Sequence, residues 1–129
     1  MKVSLRDINW MEIQDRALEF AVRIIKFADK LPKSAAGAVL VRQLIRSGTS
    51  IGANMEEADG ASSKADFINK VTIARKEARE THYWLQLINK AELIHHQANT
   101  DELGKMIVEA EELKKVLSAI INKAKEKKQ

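Results

Sequence analysis

An all-α protein, built as an antiparallel up-and-down four-helix bundle, is what three features of this 129-residue sequence require. Proline occurs once, at Pro32, and glycine five times, so long stretches run without a chain breaker. Apolar residues return in alternating steps of four and three over most of the chain, and no stretch alternates with the period of two that marks a half-buried strand. With 45% apolar residues, a chain of this length has material for one continuous core, which predicts a single domain over residues 1–129.

Each helix can be placed from its own stripe. The first carries Ile13, Ala17, Phe20, Ile24, Phe27 and Leu31 and stops at the break Leu31-Pro32-Lys33-Ser34. After Ser34, whose hydroxyl suits an N-cap, the second takes Gly37, Val41, Leu44, Gly48, Ile51, Met55 and Ala58. It passes through Ser47-Gly48-Thr49-Ser50-Ile51-Gly52, which by composition alone reads as a loop or a phosphate cradle. The apolar phase agrees on both sides of that run, so it is predicted to be helical. A phosphate cradle would need a preceding strand and a Gly-Lys-Ser element, and the sequence has neither. Gly48 and Gly52, one turn apart, cost about 1 kcal/mol each in helix propensity but admit a neighbouring backbone or large side chain. Ser47, Thr49 and Ser50 can bond back to carbonyls of the preceding turn.

Ser63, with Asp66 three residues on, opens the third helix, whose stripe is Phe67, Val71, Ala74, Ala78, Thr81, Leu85 and Ile88. Asn99 or Thr100 is the expected cap of the fourth, which carries Leu103, Met106, Ala110, Leu113, Leu117, Ile120 and Ala124. Helices of this length joined by short connections favour neighbours that run antiparallel.

The formal charge of +4 is unevenly placed. From Lys114 onward there are six lysines and one glutamate, against 16 basic and 17 acidic residues before them, so basicity belongs to the C-terminal end and a lysine-rich tail is expected at about 122–129. The absence of cysteine removes disulfides, thiolate metal sites and a thiol nucleophile. No leader-like or membrane-spanning apolar run occurs, so a cytoplasmic protein without a membrane partner is expected.

Catalytic chemistry finds little support. Glu92 and His95 form one Glu-x-x-His step, but a carboxylate-bridged metal centre needs two, and His95 and His96 fit better as solvent-facing residues at a helix end. His82 has no nucleophile or carboxylate fixed beside it by a local motif. No enzyme activity, cofactor, metal or small-molecule substrate is expected. Basic residues are more suggestive: Arg42 and Arg46, and Arg75 and Arg79 with Lys76 beside them, lie one turn apart and form candidate phosphate-binding stripes. Pairing with Glu56, Glu57, Glu77 or Glu80 is the competing use of these cations. Few aromatics accompany them, so base stacking is not expected. Ile73, Trp84, Leu87, Ala91 and Ile94 widen the apolar face of the third helix beyond its stripe, and Trp84 and Leu87 are expected to bury against a second subunit.

The stretch from Leu31 to Ile88 resembles the bacterial four-helix-bundle family encoded in intervening sequences of 23S ribosomal RNA genes. The residues that carry the resemblance are Arg46, Ser47, Ser50, Ile51, Asn54 and Glu57, followed by Phe67, Ile73, Ala74 and Glu80. The chain departs from the family string at Ala58, where glycine is frequent, and at Lys76-Glu77, where Gly-Ser is frequent. The resemblance implies a bundle that assembles into a ring of five without established enzymatic activity. A distant branch, the accessory variability determinants of diversity-generating retroelements, is similar in architecture and implies RNA, a ribonucleoprotein or a reverse transcriptase as partner. Asn54 and Glu57, three apart on the glycine-bearing helix, are expected to hydrogen-bond and fix helix register. Together these readings lead to a non-catalytic oligomeric helical module that binds RNA or a ribonucleoprotein, with a protein-interaction scaffold as the alternative.

Overall fold

In the computed structural model, which describes residues 9–126, four helices follow one another and no strand occurs among the described residues. They are α1 (Trp10–Ala28), α2 (Ala35–Asp59), α3 (Lys64–Lys90) and α4 (Gln97–Lys125). Three begin at a side-chain cap: Asn9 accepts from the Glu12 amide, Ser34 from Gly37 and Ser63 from Asp66, each at about 3.1 Å or less. The fourth does not begin where expected. His96 is the N-cap, extended at φ −69° and ψ 131°, and its carbonyl accepts from the amides of both Asn99 and Thr100, so those two residues lie inside the first turn. The Thr100 hydroxyl instead donates to the Gln97 carbonyl at 2.9 Å.

Consecutive helices pack on each other and α4 returns to α1, while across the α1–α3 diagonal the Trp10 and Phe67 rings meet with centroids 5.2 Å apart. Cross-helix pairs give the directions. Ala17 faces Gly52 while Ile24 faces Gly48, Arg16 meets Glu109 while Arg23 meets Glu102, and Arg75 meets Ser118 while His82 faces Glu111. In each set the partner number falls as the first rises, so these neighbours are antiparallel.

Every predicted stripe residue of α1, α3 and α4 is buried. On α2 the run through Ser47-Gly48-Thr49-Ser50-Ile51-Gly52 is helix, as the phase demands. Leu40, not Val41, is the buried residue of its early turns; Val41 is half-buried on the flank. Leu31 lies beyond the end of α1 and still reaches the core, because the turn after Ala28 folds back through Lys30 N–H to Phe27 O and Leu31 N–H to Ala28 O. The expected lysine-rich tail is in part the last turn of α4, where Ala124 is buried between Lys123 and Lys125, and residues 127–129 lie outside the described residues.

At the α1–α2 seam the helix backbones come close. A Cβ on Gly48 would lie 2.9 Å from two carbons of Ile24, which is itself fully buried, whereas one on Gly52 would stand 3.6 Å from the Ala17 methyl, an ordinary contact. On the opposite flank of α2, Ser47 and Thr81 are the two fully buried polar side chains among the described residues, and the Thr81 hydroxyl lies 2.9 Å from that of Ser47. Thr49 and Ser50 donate to the carbonyls of Ile45 and Arg46 at 2.7 and 2.6 Å, which keeps hydroxyls on a half-buried helix face satisfied. No buried side-chain nitrogen or oxygen among the described residues lacks a partner.

The α3–α4 connection closes with a Schellman arrangement. Leu93 N–H bonds to Ile88 O and Glu92 N–H to Asn89 O, and the residue that turns the chain is Glu92 at φ 55°, left-handed geometry that favours glycine.

Two stability predictions follow from this geometry. Gly48→Ala forces β-branched Ile24 out of its seat, and its overpacking cost of about 1–3 kcal/mol exceeds the roughly 1 kcal/mol gained in helix propensity; Gly52→Ala keeps the gain without the clash. Thermal melts should therefore move in opposite directions, down for the first and up for the second, and equal shifts would mean that the α1–α2 seam is looser than described. Glu92→Gly should raise stability by about 1 kcal/mol through relief of the left-handed conformation, a gain that chemical denaturation should register at unchanged m-value.

Candidate nucleic-acid interface

The arginines fall into two groups, those that hold helices together and those that do not. On α1, Arg16 makes a two-pronged pair with Glu109 of α4 at 2.8 and 3.0 Å, and Arg23 bonds Glu102 at 2.9 Å. The hydrogen bond to Glu109 is the main reason that the Arg16 guanidinium holds its proton even more firmly than usual. Arg46 on α2 is equally engaged. It bonds Glu77 of α3 at 3.1 Å and Gln43 at 3.2 Å, and it pairs closely with Glu80. Glu80 in turn accepts from the Trp84 indole N–H at 3.0 Å.

The five arginines and lysines singled out by sequence therefore do not form one surface. Arg46 belongs to the α2–α3 seam, and Arg42, one turn earlier, is exposed on α2 with no ion pair among the described residues. Arg75 and Arg79 share the other flank of α3, and Lys76 is exposed beside them. Arg75 reaches only the Ser118 hydroxyl of α4, at 3.5 Å, and neither Lys76 nor Arg79 has an acidic partner within ion-pair distance among the described residues. The Arg75–Ser118 and His82–Glu111 contacts bracket Arg79, so the antiparallel register sets it level with Lys114 and Lys115 of α4. Lys114 and Lys115 are the cations that sequence reasoning assigned to a C-terminal charge run rather than to this face.

One carboxylate stands among these cations. Glu111 bonds Lys114 at 3.1 Å and faces His82 Nε2 at 3.9 Å. Its carboxyl is held below the usual range, first by the hydrogen bond from Lys114, with the charges of Lys114, His82 and Lys115 adding to the effect. Arg75, Lys76, Arg79, Lys114 and Lys115 give the outer side of α3 and α4 a cationic strip with Glu111 set into it.

The family-string residues do structural work. Ser47, Gly48, Ile51 and Gly52 build the two flanks of α2 just described, and the Ser50 hydroxyl closes on its own helix. The expected Asn54–Glu57 bond is absent: the Asn54 amide donates to the Ser50 carbonyl at 2.8 Å, a partner one turn back on its own helix, and Glu57 points to solvent. Glu92, His95 and His96 are all exposed, and no group of three potential metal ligands occurs among the described residues.

Trp84 and Leu87 are half-buried within the chain itself and pack against its core. The indole edge also meets the Tyr83 ring, with centroids 5.3 Å apart. The largest exposed apolar side chains are elsewhere. Met11 and Leu18 of α1 are 68% and 65% exposed, and Val22 and Ile25 continue the same stripe. Their spacing of seven, four and three was readable in the sequence, but α1 already had a complete core stripe without them. No described helix is long and apolar enough to cross a membrane.

Comparison with known proteins agrees with this architecture. The family model described as 23S rRNA-intervening sequence protein matches residues 9–119. A crystal structure of a protein of unknown function from the S23 ribosomal protein family of Bacteroides thetaiotaomicron is 44% identical, with a TM-score of 0.75, over 84% of this chain and 97% of that one. No curated protein matches.

Proposed function

We propose, since the chain belongs to the 23S rRNA-intervening sequence protein family, that it is a non-catalytic, oligomeric helical module of the cytoplasm that binds RNA through the outer face of α3 and α4. The observation that carries this reading is the cationic strip of Arg75, Lys76, Arg79, Lys114 and Lys115, whose members on α3 have no acidic partner among the described residues. Cations held in seams, such as Arg16, Arg23 and Arg46, serve the fold; cations left over on one face are available to phosphates. The strip is carried by rigid helices, so it presents charge at fixed spacing. Of the partners that the family resemblance suggests, RNA or a ribonucleoprotein suits this strip directly, whereas a reverse transcriptase would have to dock elsewhere on the bundle.

A second reading, a protein-interaction scaffold without a nucleic-acid role, is favoured by one observation, the exposed α1 stripe of Met11, Leu18, Val22 and Ile25. An apolar stripe of this length on a small bundle is costly in water unless covered. Within the proposed module it serves self-association, and it takes over the role that the sequence suggested for Trp84 and Leu87. A ring of five is the assembly that the family resemblance suggests.

Two measurements test these proposals. Structured RNA titrated at low salt should bind more tightly than about 10⁻⁴ M, with affinity falling steeply as salt rises; Arg75→Ala and Arg79→Ala should each reduce the slope of log affinity against log salt by about 1. Absence of any binding under those conditions would leave the scaffold reading in possession. Light scattering should give a mass several times 14.5 kDa, five times for the proposed ring. Leu18→Gln with Ile25→Gln should lower it without loss of helicity, and a wild-type monomer at about 100 μM would remove the oligomer from the proposal.

A further inference from the structure

The cationic strip does not end at Arg79. One turn further along α3 stands Tyr83, 57% exposed, and beside it a groove of about 570 Å³ opens between α3 and α4. Its lining is Tyr83, Gln86, Leu87, Asn89, Lys90 and Ile107. The volume falls within the range of small-ligand sites, roughly 300–1,000 Å³. The composition is specific: an aromatic ring, two aliphatic side chains, two carboxamides that can each donate and accept, one ammonium group, and no carboxylate.

We propose that this groove receives an unpaired nucleobase, so that the RNA taken by the α3–α4 face is a single strand or an open loop and not a continuous duplex. The proposal rests on the RNA-binding reading above and names the class of RNA. A base offers a flat apolar face and a rim of hydrogen-bonding groups. Tyr83 supplies a stacking surface, Leu87 and Ile107 an apolar floor, and Gln86 and Asn89 partners for the rim. Arg79 and Arg75 stand one and two turns before Tyr83, at a rise of about 6 Å per four residues, so the backbone of a strand whose base enters the groove runs over them. Lys90 serves the phosphate on the other side. A paired helix has no use for such a site, since its bases are stacked and its edges recessed in the grooves.

The ring of Tyr83 is also braced. Trp84 meets it at 69° between planes, the Trp84 indole N–H is fixed by Glu80, and Glu80 is held by Arg46. This chain of contacts gives the Arg46–Glu80 pair a bearing on ligand recognition although neither residue faces the strip. An aromatic that is exposed yet held in place loses less freedom on stacking than a free one.

Fluorescence anisotropy with the full chain and three labelled probes tests this: an unpaired oligonucleotide, the same strand with abasic sites, and its blunt duplex. Tyr83→Ala should weaken binding of the unpaired strand about tenfold while leaving the duplex, the abasic strand and the salt slope unchanged. Tyr83→Phe should behave as wild type, because the ring does the stacking. Arg79→Ala should weaken all three probes and lower the slope. Tyr83→Ala without effect, or with equal losses on strand and duplex, would overturn the pocket while the Arg79→Ala result keeps the RNA reading alive. Failure of the wild type to bind any probe would overturn both. Far-ultraviolet circular dichroism of the Tyr83 variants, expected to match wild type at so exposed a position, separates lost binding from lost folding.

Discussion

Ile24 rests against the bare backbone of Gly48, and the position of α2 follows from that contact. With no Cβ at residue 48, α1 comes close enough for a fully buried isoleucine to fill the space that any other residue would occupy. The neighbouring residue on the other flank, Ser47, is small and carries a hydroxyl, so α3 approaches until the Thr81 and Ser47 hydroxyls bond. Two adjacent small residues thus draw two helices onto α2 from opposite sides. Packed interiors resist displacement because each buried side chain is held by many weak contacts, and so the Arg46 guanidinium is delivered within reach of both Glu77 and Glu80. The brace that runs on through Trp84 to Tyr83 is a consequence of that approach.

The thinnest seam, between α1 and α4, is organised differently. It carries the Arg16–Glu109 and Arg23–Glu102 pairs, seven residues apart on each helix and running in opposite directions. Each pair is partly exposed and worth little by itself. Their matched spacing does something else: a shift of α1 along α4 by one turn would break both at once. Charge here sets register in the place where apolar packing is least able to do so.

Most of this architecture was legible in the sequence, and the failures share a cause. The stripes of α3 and α4 were read residue by residue, because a helix buried on one face shows its partner-facing residues at fixed spacing whatever the partner is. The helicity of the glycine- and serine-rich run was legible for the same reason. What could not be read was which neighbour lies at which angle. Arg46 and Arg75 look alike along the chain, but one points toward α2–α3 carboxylates and the other toward α4. Trp84 looked like an uncovered residue until Glu80 and the chain's own core were placed around it. Asn54 and Glu57 have the spacing of a pair, yet the amide finds a backbone carbonyl nearer to hand. The α4 cap escaped because His96 serves through its backbone, which leaves no side-chain signature.

Charge counting says least about the surface. A body near neutrality beside a basic C-terminal end is a sum over the chain, and a sum is blind to its division between faces. The antiparallel order brings the start of α1 beside the end of α2, where Glu12, Asp15, Glu19, Glu56, Glu57 and Asp59 are all exposed. The same order brings the first half of α3 beside the second half of α4, which carry Arg75, Lys76, Lys115, Lys123 and Lys125. Acidic and basic residues are thus divided between the α1–α2 and the α3–α4 side of one end of the bundle. A net charge of +4 attracts a polyanion at long range, and the division of charge between faces orients it at short range. For the RNA ligand proposed above, that asymmetry would favour approach toward α3 and α4, the helices between which the groove beside Tyr83 opens.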